Sequence, residues 1–444
     1  MRRAVKPPRD FFWGPITGHA LSLRKSRLSY MYACLKQYGD FIEMYLGKQR
    51  TLLVNDPAGL KYVLLDNGKN YPKNTPGYKR VAEVLGQGVF TDVGEEWKIG
   101  RKAIQPTFNP SKFDHYFSIV ADETQKTINQ IKDNAKINRS INISSWSTRY
   151  ALHVIGRSLL NETLEDSFNI ISKNLSHLID LTEKKMTYIT PIKTLFKWRL
   201  EKDFNSTLKV LDDEIIKIIA NEKQKVRSPK ENMLHALFDS PMNFSDKKIL
   251  SQVKTMIFAG HETTANVITW AFYFLSLHPQ WQEKIFSEFK DHDFSITSEE
   301  DLKTFSSINL FLNEVLRMRP PAWSFGRVAI AKDRIHDEEI NAGDLISISP
   351  FLIHHHPDFW ENPEDFMPER FLKAPAPFTF IPYGAGQRIC MGERLANLEM
   401  CMFLLHAIKE FTFTFSSQTI NVQMNAQVSL RPDQAIYLDV EVRK

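Results

Sequence analysis

The chain has 444 residues and a formal net charge of +5, with 43% hydrophobic and 25% charged residues. This is the composition of an ordinary globular protein with a sizeable core. Both signs of charge are spread along the chain without a basic stripe, which argues against a dedicated nucleic-acid-binding protein. The three cysteines, Cys34, Cys390 and Cys401, are too few and too scattered for a disulfide framework or a four-cysteine zinc site. A reducing compartment fits this count.

The N-terminal segment MRRAVKPPRDFFWGPITGHALSL shows no secretory signal. Prolines and charges interrupt it before the roughly 20 apolar residues that a membrane span needs. We therefore predict a soluble, cytoplasmic protein without a membrane span. The alternative is a chain from which an N-terminal anchor has been removed, because a basic, proline-bearing start is also typical of the segment that follows one.

The first regular elements predicted are two strands around a Gly-Lys turn, in DFIEMYLGKQRTLLVNDP over residues 40–57. Helical periodicity dominates residues 110–289. The longest helical segment starts at Ser245 or Asp246, either of which can cap a helix, and stops at Pro279. It is apolar nearly all round, so we expect a buried helix that crosses the centre of the molecule.

Short strands are predicted after Pro320, mainly over residues 327–349, and residues 411–442 alternate like a β-hairpin. Neither an internal repeat nor a linker is visible. We therefore predict a single domain over residues 1–444 that is mainly α-helical, with a smaller β-rich part near residues 40–57, 327–349 and 411–442.

The stretch FIPYGAGQRICMGERLANLEM places a cysteine between a glycine-rich loop and a predicted helix. Three glycines permit positive φ angles and a close approach of the backbone to a flat ligand: Gly384, Gly386 and Gly392. Free amides at the start of a helix favour a thiolate at Cys390, and Arg388 can pair with a carboxylate. A single thiolate without a neighbouring Cys or His suits an axial haem ligand better than zinc or an iron–sulfur cluster. The alternative is a buried structural cysteine beside a turn.

This stretch resembles the haem-binding signature of the cytochrome P450 family, aromatic-x-x-Gly-x-Arg-x-Cys-x-Gly. Tyr383, Gly386, Arg388, Cys390 and Gly392 match it in register, with Tyr383 where the family usually has Phe. The resemblance implies a long central helix over a haem. It implies Cys390 as the iron ligand, and Tyr383, Gly384 and Gly392 beside the haem.

The motif AGHETT, residues 259–264, resembles the oxygen-activation motif of the same family. The resemblance places Ala259 and Gly260 against the haem and makes Glu262 and Thr263 the catalytic pair that relays protons to dioxygen. The alternative for a helical threonine is a hydroxyl bonded to the preceding turn, which we favour for Thr264. His261 is expected to pack or to bridge to solvent rather than to bind metal.

The segments EVLR and PERF resemble the family's buried ion network, which implies a structural role for Glu314, Arg317 and Arg370. Without the resemblance, Glu314 and Arg317 are only an ordinary helical pair. The run His354, His355 and His356 is expected to be structural, because consecutive side chains do not converge on one metal ion.

The resemblance also assigns partners to the haem propionates: Trp97, Arg101, Arg327 and Arg388. Arginine suits carboxylates, and the indole N–H is a donor. A role for Trp97 as a core anchor is compatible with this one. The chain lacks Cys-x-x-Cys-His, and Ala259 stands where some fatty-acid hydroxylases of the family carry an ester-forming Glu. We therefore expect haem b (iron protoporphyrin IX) bound non-covalently.

The substrate pocket is expected to be mainly apolar and to receive a lipid, a fatty acid or a terpenoid-like molecule. Its lining should come from residues 71–95, 256–259, 321–325 and 428–430, and in particular from Met256, Phe258, Ala322, Trp323, Phe325 and Leu430. Lys48 or Arg50 on the early hairpin is a candidate for holding a substrate carboxylate, although exposed basic hairpins need no such role.

No Gly-x-Gly-x-x-Gly fingerprint of a flavin or nicotinamide domain is visible in the sequence, so we expect electrons to come from a separate ferredoxin or flavodoxin with its reductase. Lys98, Arg101 and Lys102 are candidates for the docking face, and a solvated helix surface is the alternative. We expect a monomeric monooxygenase that uses dioxygen. The alternatives are a haem-thiolate isomerase, dehydratase or peroxygenase, which tend to lose the acid–alcohol pair, and a non-enzymatic haem sensor.

Overall fold

The computed structural model describes residues 3–9, 17–137, 140–161, 164–187, 197–225, 232–291 and 296–443. In chain order the α-helices are α1 (Ala20–Lys25), α2 (Arg27–Tyr38), α3 (Pro57–Lys61), α4 (Pro76–Leu85), α5 (Gly94–Ile104), α6 (Phe113–Ile137), α7 (Ile143–Ile155), α8 (Phe168–Thr187), α9 (Lys197–Gln224), α10 (Met233–Phe238), α11 (Asp246–Leu277), α12 (Pro279–Asp291), α13 (Glu299–Leu302), α14 (Ser306–Met318), α15 (Pro350–His354) and α16 (Glu393–Glu410). The strands are β1 (Phe41–Leu46), β2 (Gln49–Val54), β3 (Ser140–Asn142), β4 (Phe325–Val328), β5 (Asp333–Ile335), β6 (Glu338–Ile340), β7 (Leu345–Ile348), β8 (Phe411–Phe415), β9 (Met424–Ala426), β10 (Leu430–Pro432) and β11 (Tyr437–Val442). Helices dominate, which confirms the predicted fold class.

Contacts divide the chain into two compact units. The first comprises Met1–Arg80, Leu316–Cys390 and Val428–Leu430, and the second comprises Val81–Val315, Met391–Gln427 and Arg431–Lys444. Most strands before residue 350 belong to the first unit, and most helices belong to the second. The single domain expected over residues 1–444 stays a prediction.

The first unit is built on a four-stranded sheet with the order β1-β2-β7-β4. Strands β1 and β2 pair antiparallel, with Phe41 opposite Val54, and Gly47 has a φ of 62° in the turn between them. Strand β7 pairs parallel with β2 and antiparallel with β4, while β5 and β6 form a separate hairpin. These pairings confirm the strands predicted near residues 40–57 and 327–349.

The core of the first unit joins this sheet to the segment that follows α3. Buried aliphatic side chains fill the space between them: Leu52, Val54, Leu60, Val63, Ile346 and Ile348. A single carboxylate anchors the segment, because Asp333 accepts hydrogen bonds from the hydroxyls of Tyr62 at 2.9 Å and Tyr71 at 2.6 Å. These bonds help to lower the pKa of Asp333 against the effect of its burial. These bonds anchor the π-helical turn over residues 62–66, which carries part of the site described below.

The second unit contains α11, the long helix that the sequence predicts. The Ser245 side chain caps it by accepting a hydrogen bond from the Lys248 amide at 3.3 Å, and Pro279 begins the next helix. Most of its residues are buried, which agrees with its apolar surface. It packs closely on α7, because a Cβ atom at Gly260 would lie only 2.3 Å from Ile155 Cδ1. Within the described ranges, no helix is both long and apolar enough to cross a membrane.

The C-terminal alternation predicted from residue 411 forms part of a second sheet, with the order β3-β11-β8. Strand β8 pairs antiparallel with β11, and Phe411 lies opposite Val442. Strand β3 adds to the other edge of β11, with Asn142 opposite Tyr437. Strands β8 and β11 therefore lie in the third predicted β-rich part, and β3 is a strand that no sequence pattern indicated.

Candidate functional site

The residues predicted for the site divide between the two units. The first unit carries Arg317, Ala322, Trp323, Phe325, Arg327, Arg370, Tyr383, Gly384, Arg388, Cys390 and Leu430. The second unit carries Trp97, Arg101, Met256, Phe258, Ala259, Gly260, Glu262, Thr263, Glu314 and Gly392.

The cysteine loop is held by two left-handed glycines and short backbone hydrogen bonds. Gly384 and Gly386 have φ angles of 73° and 71°, as expected. The amide of Cys390 donates to the carbonyl of Tyr383 at 3.0 Å, which closes the loop. Gly392 has a φ of −89° and is the residue before the first turn of α16, so the positive φ expected there is wrong. The loop thus presents Cys390 two residues before the helix cap.

Gly386 is required by a contact that the sequence did not reveal. A Cβ atom at this position would lie 1.9 Å from the carbonyl oxygen of Leu64, in the turn over residues 62–66. At Gly384 a Cβ atom would meet no protein atom within 4 Å. The close approach at Gly386 is therefore one of backbone to backbone, and it sets the cysteine loop against the turn over residues 62–66 of the first unit.

The three cysteines differ in their surroundings, and none forms a disulfide. Cys34 and Cys401 are buried. Burial raises the pKa of Cys34 and raises that of Cys401 to about 12, so both are inert thiols. Cys390 is exposed, which contradicts the alternative of a buried structural cysteine. Among the three cysteines, only Cys390 has a sulfur that is accessible to a metal ion or cofactor.

The AGHETT motif lies on α11. Its first threonine, Thr263, makes the hydrogen bond to the preceding helical turn that the sequence analysis gave as the alternative to a catalytic role. Thr263 Oγ1 donates to the carbonyl of Ala259 at 2.5 Å. Because the hydroxyl proton is used in this bond, the oxygen lone pairs are left as acceptors. Glu262 is buried beside it, and burial lowers the pKa of His261 to about 4, so that its ring is neutral. Gly260 faces Ile155, which favours helix packing as the reason for a glycine there.

A buried group of cations lies in the first unit. Lys73 and Arg327 are only 8% and 6% exposed. Lys73 Nζ lies 4.3 Å from the ring centroid of Tyr78, and an N–H of Arg327 donates to the Tyr78 hydroxyl. Arg388 acts on both Lys73 and Tyr78 through its charge. The sequence reasoning named Arg327 and Arg388 but missed Lys73 and Tyr78, which lie in the segment assigned only to the substrate pocket.

Trp97 and Arg101 lie on α5 in the second unit. The Arg101 guanidinium carbon is 5.8 Å from the centroid of the Trp97 ring system. Both line a surface cleft of about 390 Å³ together with Lys98, Lys102, Gln105, Pro106 and Asn109. Lys98 pairs with Glu95. The three basic residues predicted for a docking face thus line one cleft, where Glu95 offsets the charge of Lys98, and their role in docking stays a prediction.

The two arginines of the predicted ion network converge on one loop of the first unit. Arg317 is fully buried and donates to the carbonyls of His354 and Pro363, both at 2.8 Å. Arg317 and Arg370 also donate to the same carbonyl, that of Asp365, at 3.2 and 3.3 Å. Glu314 lies one turn before Arg317 on α14 and is fully buried. The structural role of the three side chains stays a prediction that these contacts support.

The histidine run shows three separate sets of contacts. His354 accepts the amide of Ile381 at Nε2, at 2.9 Å, so its proton lies on Nδ1, which donates to the carbonyl of Arg317 at 3.2 Å. His355 Nδ1 lies 2.7 Å from the carbonyl of Phe351, and His356 Nδ1 accepts the amide of Asp358 at 3.2 Å. His354 thereby ties α14 to the segment that enters the cysteine loop.

This neutral histidine predicts a loss of stability in acid. Burial, followed by the charge of Arg317, lowers the pKa of His354 from 6.5 to about 3. Below about pH 6.5 the unfolded chain binds a proton that the folded protein refuses, so the free energy of unfolding falls as the pH falls from about 6.5 towards 3. The contribution of one such histidine is at most about 1.4 kcal/mol per pH unit.

Urea unfolding between about pH 7 and pH 4.5 measures this slope. In His354→Gln the free energy of unfolding should depend less steeply on pH, by close to the one proton that this histidine binds on unfolding. The substitution should also lower the stability itself. His115→Gln, at an exposed position, serves as the control and should leave the slope as in the wild type. An unchanged slope in His354→Gln would refute the assignment.

The apolar residues predicted for the pocket form a group in each unit. Met256 and Phe258 are buried on α11, and the Phe258 ring lies 6.2 Å from that of Phe90, which was not named individually. In the first unit, the amide of Leu430 donates to the carbonyl of Pro321 at 2.9 Å. This bond brings Leu430 to the segment that contains Trp323 and Phe325, whereas Ala322 in the same segment is exposed. The pocket lining stays a prediction.

The expectation that Arg50 holds a substrate carboxylate is wrong. Its guanidinium is already bound by three carboxylates of the first unit, Glu43 at 2.9 Å, Glu338 at 2.5 Å and Asp344 at 2.6 Å. These contacts tie the β1–β2 hairpin to the segment that contains β6 and leads into β7. They also occupy the N–H groups of Arg50 that would have to bind a substrate carboxylate. Lys48 is exposed on the same hairpin.

A family model described as Cytochrome P450 matches residues 7–440 of the chain. The chain belongs to the cytochrome P450 family. It is therefore an enzyme of the oxidoreductase class and a haem-thiolate monooxygenase by family. Members of this family use a hydrophobic substrate and redox partners.

Curated relatives of this cytochrome P450 come from plants, animals and bacteria. The chain is 26% identical to Protein LUTEIN DEFICIENT 5, chloroplastic, of Arabidopsis thaliana, over 93% of this chain and 74% of that protein. It is 26% identical to Cytochrome P450 3A12 of Canis lupus familiaris, over 97% of this chain and 90% of that protein. It is also 26% identical to cyclooctat-9-en-7-ol 5-monooxygenase of Streptomyces melanosporofaciens, over 88% of this chain and 86% of that protein.

The side chains of this cytochrome P450 fit a haem. Cys390 supplies one exposed thiol at the end of the glycine-rich loop, at the position of the cysteine in the family signature. The cations of the first unit, Arg327 and Arg388 with Lys73, suit a ligand that carries two carboxylates. Trp97 and Arg101 add an indole donor and a guanidinium in the second unit. The donor set thus agrees with an iron porphyrin bound through sulfur and charge.

Proposed function

We propose that this cytochrome P450 binds haem b non-covalently through the Cys390 thiolate and inserts one oxygen atom of dioxygen into a hydrophobic substrate. The overall reaction consumes substrate, dioxygen, two electrons and two protons, and it yields the oxygenated product and water. Haem with an axial thiolate supplies the cleavage of dioxygen and the oxygen transfer. The observation that carries the proposal is the exposed Cys390, held by a signature loop in a chain that matches the family model over residues 7–440.

In this proposal, the residues of the cysteine loop and of α11 form the immediate surroundings of the haem. Tyr383 and Gly384 begin the loop, Gly392 ends it, and Ala259 and Gly260 lie one turn before the catalytic pair on α11. Trp97, Arg101, Arg327 and Arg388 are the proposed partners of the propionates. The roles rest on the family motifs and on the burial and charge of each side chain.

The proton relay is assigned to Glu262 and Thr263. The Thr263 hydroxyl donates a hydrogen bond to the Ala259 carbonyl, which fixes the side chain and leaves the lone pairs of its oxygen as acceptors. A water molecule held by that oxygen can receive protons through the buried acid at Glu262. An intact acid–alcohol pair supports the monooxygenase over an isomerase, a dehydratase or a peroxygenase, which need no such relay.

Thr263→Ala is expected to retain haem and the thiolate spectrum but to lower the product formed per dioxygen consumed by about tenfold, with hydrogen peroxide as the balance. The hydroxyl that orders the relay is lost, while the helix is unchanged. Oxygen consumption, peroxide and product are measured together.

A matched control lies on the same helix. Thr269 makes the same bond, from its hydroxyl to the carbonyl of Ala265 at 2.7 Å. Thr269→Ala should therefore keep the coupling of the wild type, and Thr263→Ser should restore most of it. Wild-type coupling in Thr263→Ala would remove this residue from the mechanism.

The substrate is proposed to be a lipid, a fatty acid or a terpenoid-like molecule. The candidate lining is apolar and aromatic in both units, with Phe90, Phe258, Trp323 and Leu430. One bacterial relative is named for the oxidation of cyclooctat-9-en-7-ol, an alcohol on a hydrocarbon ring system. Both observations favour a bulky apolar molecule that is held mainly by shape.

Electrons are proposed to come from a ferredoxin or flavodoxin with its reductase, docked on the basic cleft of α5. Lys98 and Lys102 line this cleft, and Gln105 and Asn109 add amide donors. A cleft with this charge suits an acidic partner, and its binding should weaken as salt rises. The protein is proposed to act as a monomer.

The carbon monoxide difference spectrum of the dithionite-reduced protein tests the proposal. A strongly red-shifted Soret band is expected, followed by a ligand-induced spin shift on titration with fatty acids and terpenoids. An unshifted band, or a purified protein that binds no added haem, would refute the assignment of Cys390.

A further inference from the structure

The carboxylate of Asp333 accepts hydrogen bonds from both ends of the turn over residues 62–66. The Tyr62 hydroxyl donates to Oδ1 at 2.9 Å, and the side-chain amide of Asn67 donates to Oδ2 at 2.9 Å. The same amide of Asn67 also donates to the Tyr62 hydroxyl oxygen at 3.2 Å, and the Asn67 backbone amide donates to the Tyr62 carbonyl at 2.8 Å. One carboxylate therefore holds the residue that begins the turn and the residue that follows it.

The same carboxylate also holds the chain beyond the turn. The hydroxyl of Tyr71 donates to Oδ2 at 2.6 Å, and the side-chain amide of Asn70 donates to it at 3.3 Å. The backbone carbonyl of Asn70 accepts the amide of Ile330 at 3.0 Å, and its side-chain oxygen accepts the amide of Ala331 at 2.9 Å. Residues 62–71 are thus bonded to one short stretch of chain that leads into β5.

The position of Asp333 is defined by the β5–β6 hairpin. Asp333 lies opposite Ile340, and Ile335 and Ile340 are buried in the same core as Leu64. Burial acts to raise the pKa of the Asp333 carboxyl group, but the hydrogen bonds, that of Tyr71 above all, lower it. The group is therefore ionised at neutral pH, and hydrogen bonds to a charged acceptor are stronger than those to a neutral one.

The turn that Asp333 anchors is in contact with the cysteine loop. A Cβ atom at Gly386 would lie 1.9 Å from the carbonyl oxygen of Leu64, so the two backbones meet there. Within the loop, the Gly386 carbonyl accepts the amide of Ile389 at 3.1 Å, and the next amide, that of Cys390, donates to the Tyr383 carbonyl at 3.0 Å. A displacement of the turn would therefore reach Gly386 first and Cys390 through these bonds.

We propose that Asp333 is a positioning residue for Cys390: it holds the turn over residues 62–66, and this turn supports the cysteine loop in the geometry in which the thiolate binds iron. The inference rests on the proposed function, because it concerns the ligand of the haem iron. It extends that function to a residue of the β5–β6 hairpin that lies outside every motif in the sequence. Asp333 acts through the hydroxyl of Tyr62 and the backbone of Leu64.

Three substitutions remove these hydrogen bonds to different extents. Asp333→Asn removes the charge and keeps one acceptor oxygen, and Asp333→Leu removes both acceptors. Tyr62→Phe removes only the hydroxyl at the start of the turn. Glu43→Gln is the matched control, because Glu43 is a buried carboxylate of the same unit on β1, where it pairs with Arg50 at 2.9 Å and with Lys6 at 3.1 Å.

The experiment uses the full-length protein reconstituted with haem and compares two urea midpoints for each variant. One midpoint is the loss of the red-shifted Soret band of the carbon monoxide complex, and the other is the loss of far-ultraviolet circular dichroism. A change that only destabilises the fold moves both midpoints together, as we expect for Glu43→Gln. In the Asp333 variants and in Tyr62→Phe the Soret band should be lost at a lower urea concentration than the helical signal, because the loop is released before the fold.

The fraction of folded protein without the red-shifted band is measured before any urea is added. We expect this fraction to rise about threefold in Asp333→Asn and Tyr62→Phe and about tenfold in Asp333→Leu. In Glu43→Gln it should match the wild type.

A double substitution tests the route from Asp333 to the cysteine. Gly386→Ala already separates the loop from the turn, so the further change Asp333→Asn should alter the fraction without the band by less than about twofold. Effects that multiply in full would overturn the contact between Gly386 and Leu64 as the route.

Midpoints that move together in both Asp333 variants, with the wild-type fraction of the red-shifted band, would overturn the role of Asp333. If Asp333→Leu does not fold, Asp333→Asn and Tyr62→Phe still decide, since both preserve the volume of the side chain. A wild-type protein without the red-shifted band would instead overturn the proposed function itself, so the two failures are distinguishable.

Discussion

Replacing Cys390 by alanine is expected to abolish the red-shifted Soret band of the carbon monoxide complex and to lower substrate oxidation by about a hundredfold or more. A methyl group cannot donate electron density to iron, and neither other cysteine can take the place of Cys390. Cys34 and Cys401 are buried, and burial raises the pKa of both thiols. The measurement is the difference spectrum of the reduced variant, with haem content and product yield determined on the same preparation.

Cys401→Ala is the matched control for this substitution. Its sulfur lies 3.8 Å from Asn309 Oδ1 inside the second unit, so the variant should lose about 1–2 kcal/mol of stability and keep the spectrum of the wild type. A thiolate spectrum that survives in Cys390→Ala, or that disappears in a folded Cys401→Ala, would contradict the ligand assignment. The pair of variants thus separates loss of the ligand from loss of stability.

Features that depend on near neighbours in the chain were predictable from the sequence. The helix α11 begins at the Ser245 cap and ends before Pro279, because capping and the missing proline N–H act over a few residues. The β1–β2 hairpin follows from the alternation of residues 40–57 and from a glycine that accepts a φ of 62° at position 47. The same holds for the cysteine loop, whose left-handed positions coincide with Gly384 and Gly386.

Features that depend on distant partners were missed. The role of Arg50 is decided by Glu338 and Asp344, which lie almost 300 residues away and have no sequence signal that links them to the hairpin. In the sequence, Lys73 and Tyr78 belong to a segment without any motif, and only the fold brings Arg327 close to them. The reason for Gly386 also lies far away, at the carbonyl of Leu64. Local patterns therefore predicted which residues form the loop but not which surfaces the loop contacts.

The back-bond of Thr263 shows a further limit of the sequence. The motif identifies a hydroxyl, but only the helix geometry shows that its proton goes to Ala259 and that its oxygen is left to accept. The hydrogen bond to Ala259 leaves the Thr263 oxygen as an acceptor, which suits the proposed relay through water.

Gly386→Ala is expected to lower the free energy of unfolding by about 3–5 kcal/mol and to reduce the fraction of protein with the thiolate spectrum. Two effects add in this variant. An alanine at a φ of 71° is strained by about 1–2 kcal/mol, and its Cβ atom would lie 1.9 Å from the Leu64 carbonyl oxygen. Because the obstacle is a backbone atom, no change of side-chain rotamer can relieve the contact, so the cysteine loop must move away from the turn over residues 62–66.

Gly384→Ala separates the two effects within the same loop. Its φ of 73° gives the same strain, but its Cβ atom would meet no protein atom within 4 Å, so the loss should stay near 1–2 kcal/mol. Urea unfolding of both variants measures the difference, and the carbon monoxide spectrum reports whether Cys390 keeps its position. Equal stability of the two variants would show that the loop does not rest on Leu64. A larger loss at Gly386 would show that this glycine serves the packing of the protein on itself, so that the cysteine is oriented by a backbone contact more than 300 residues away in the chain.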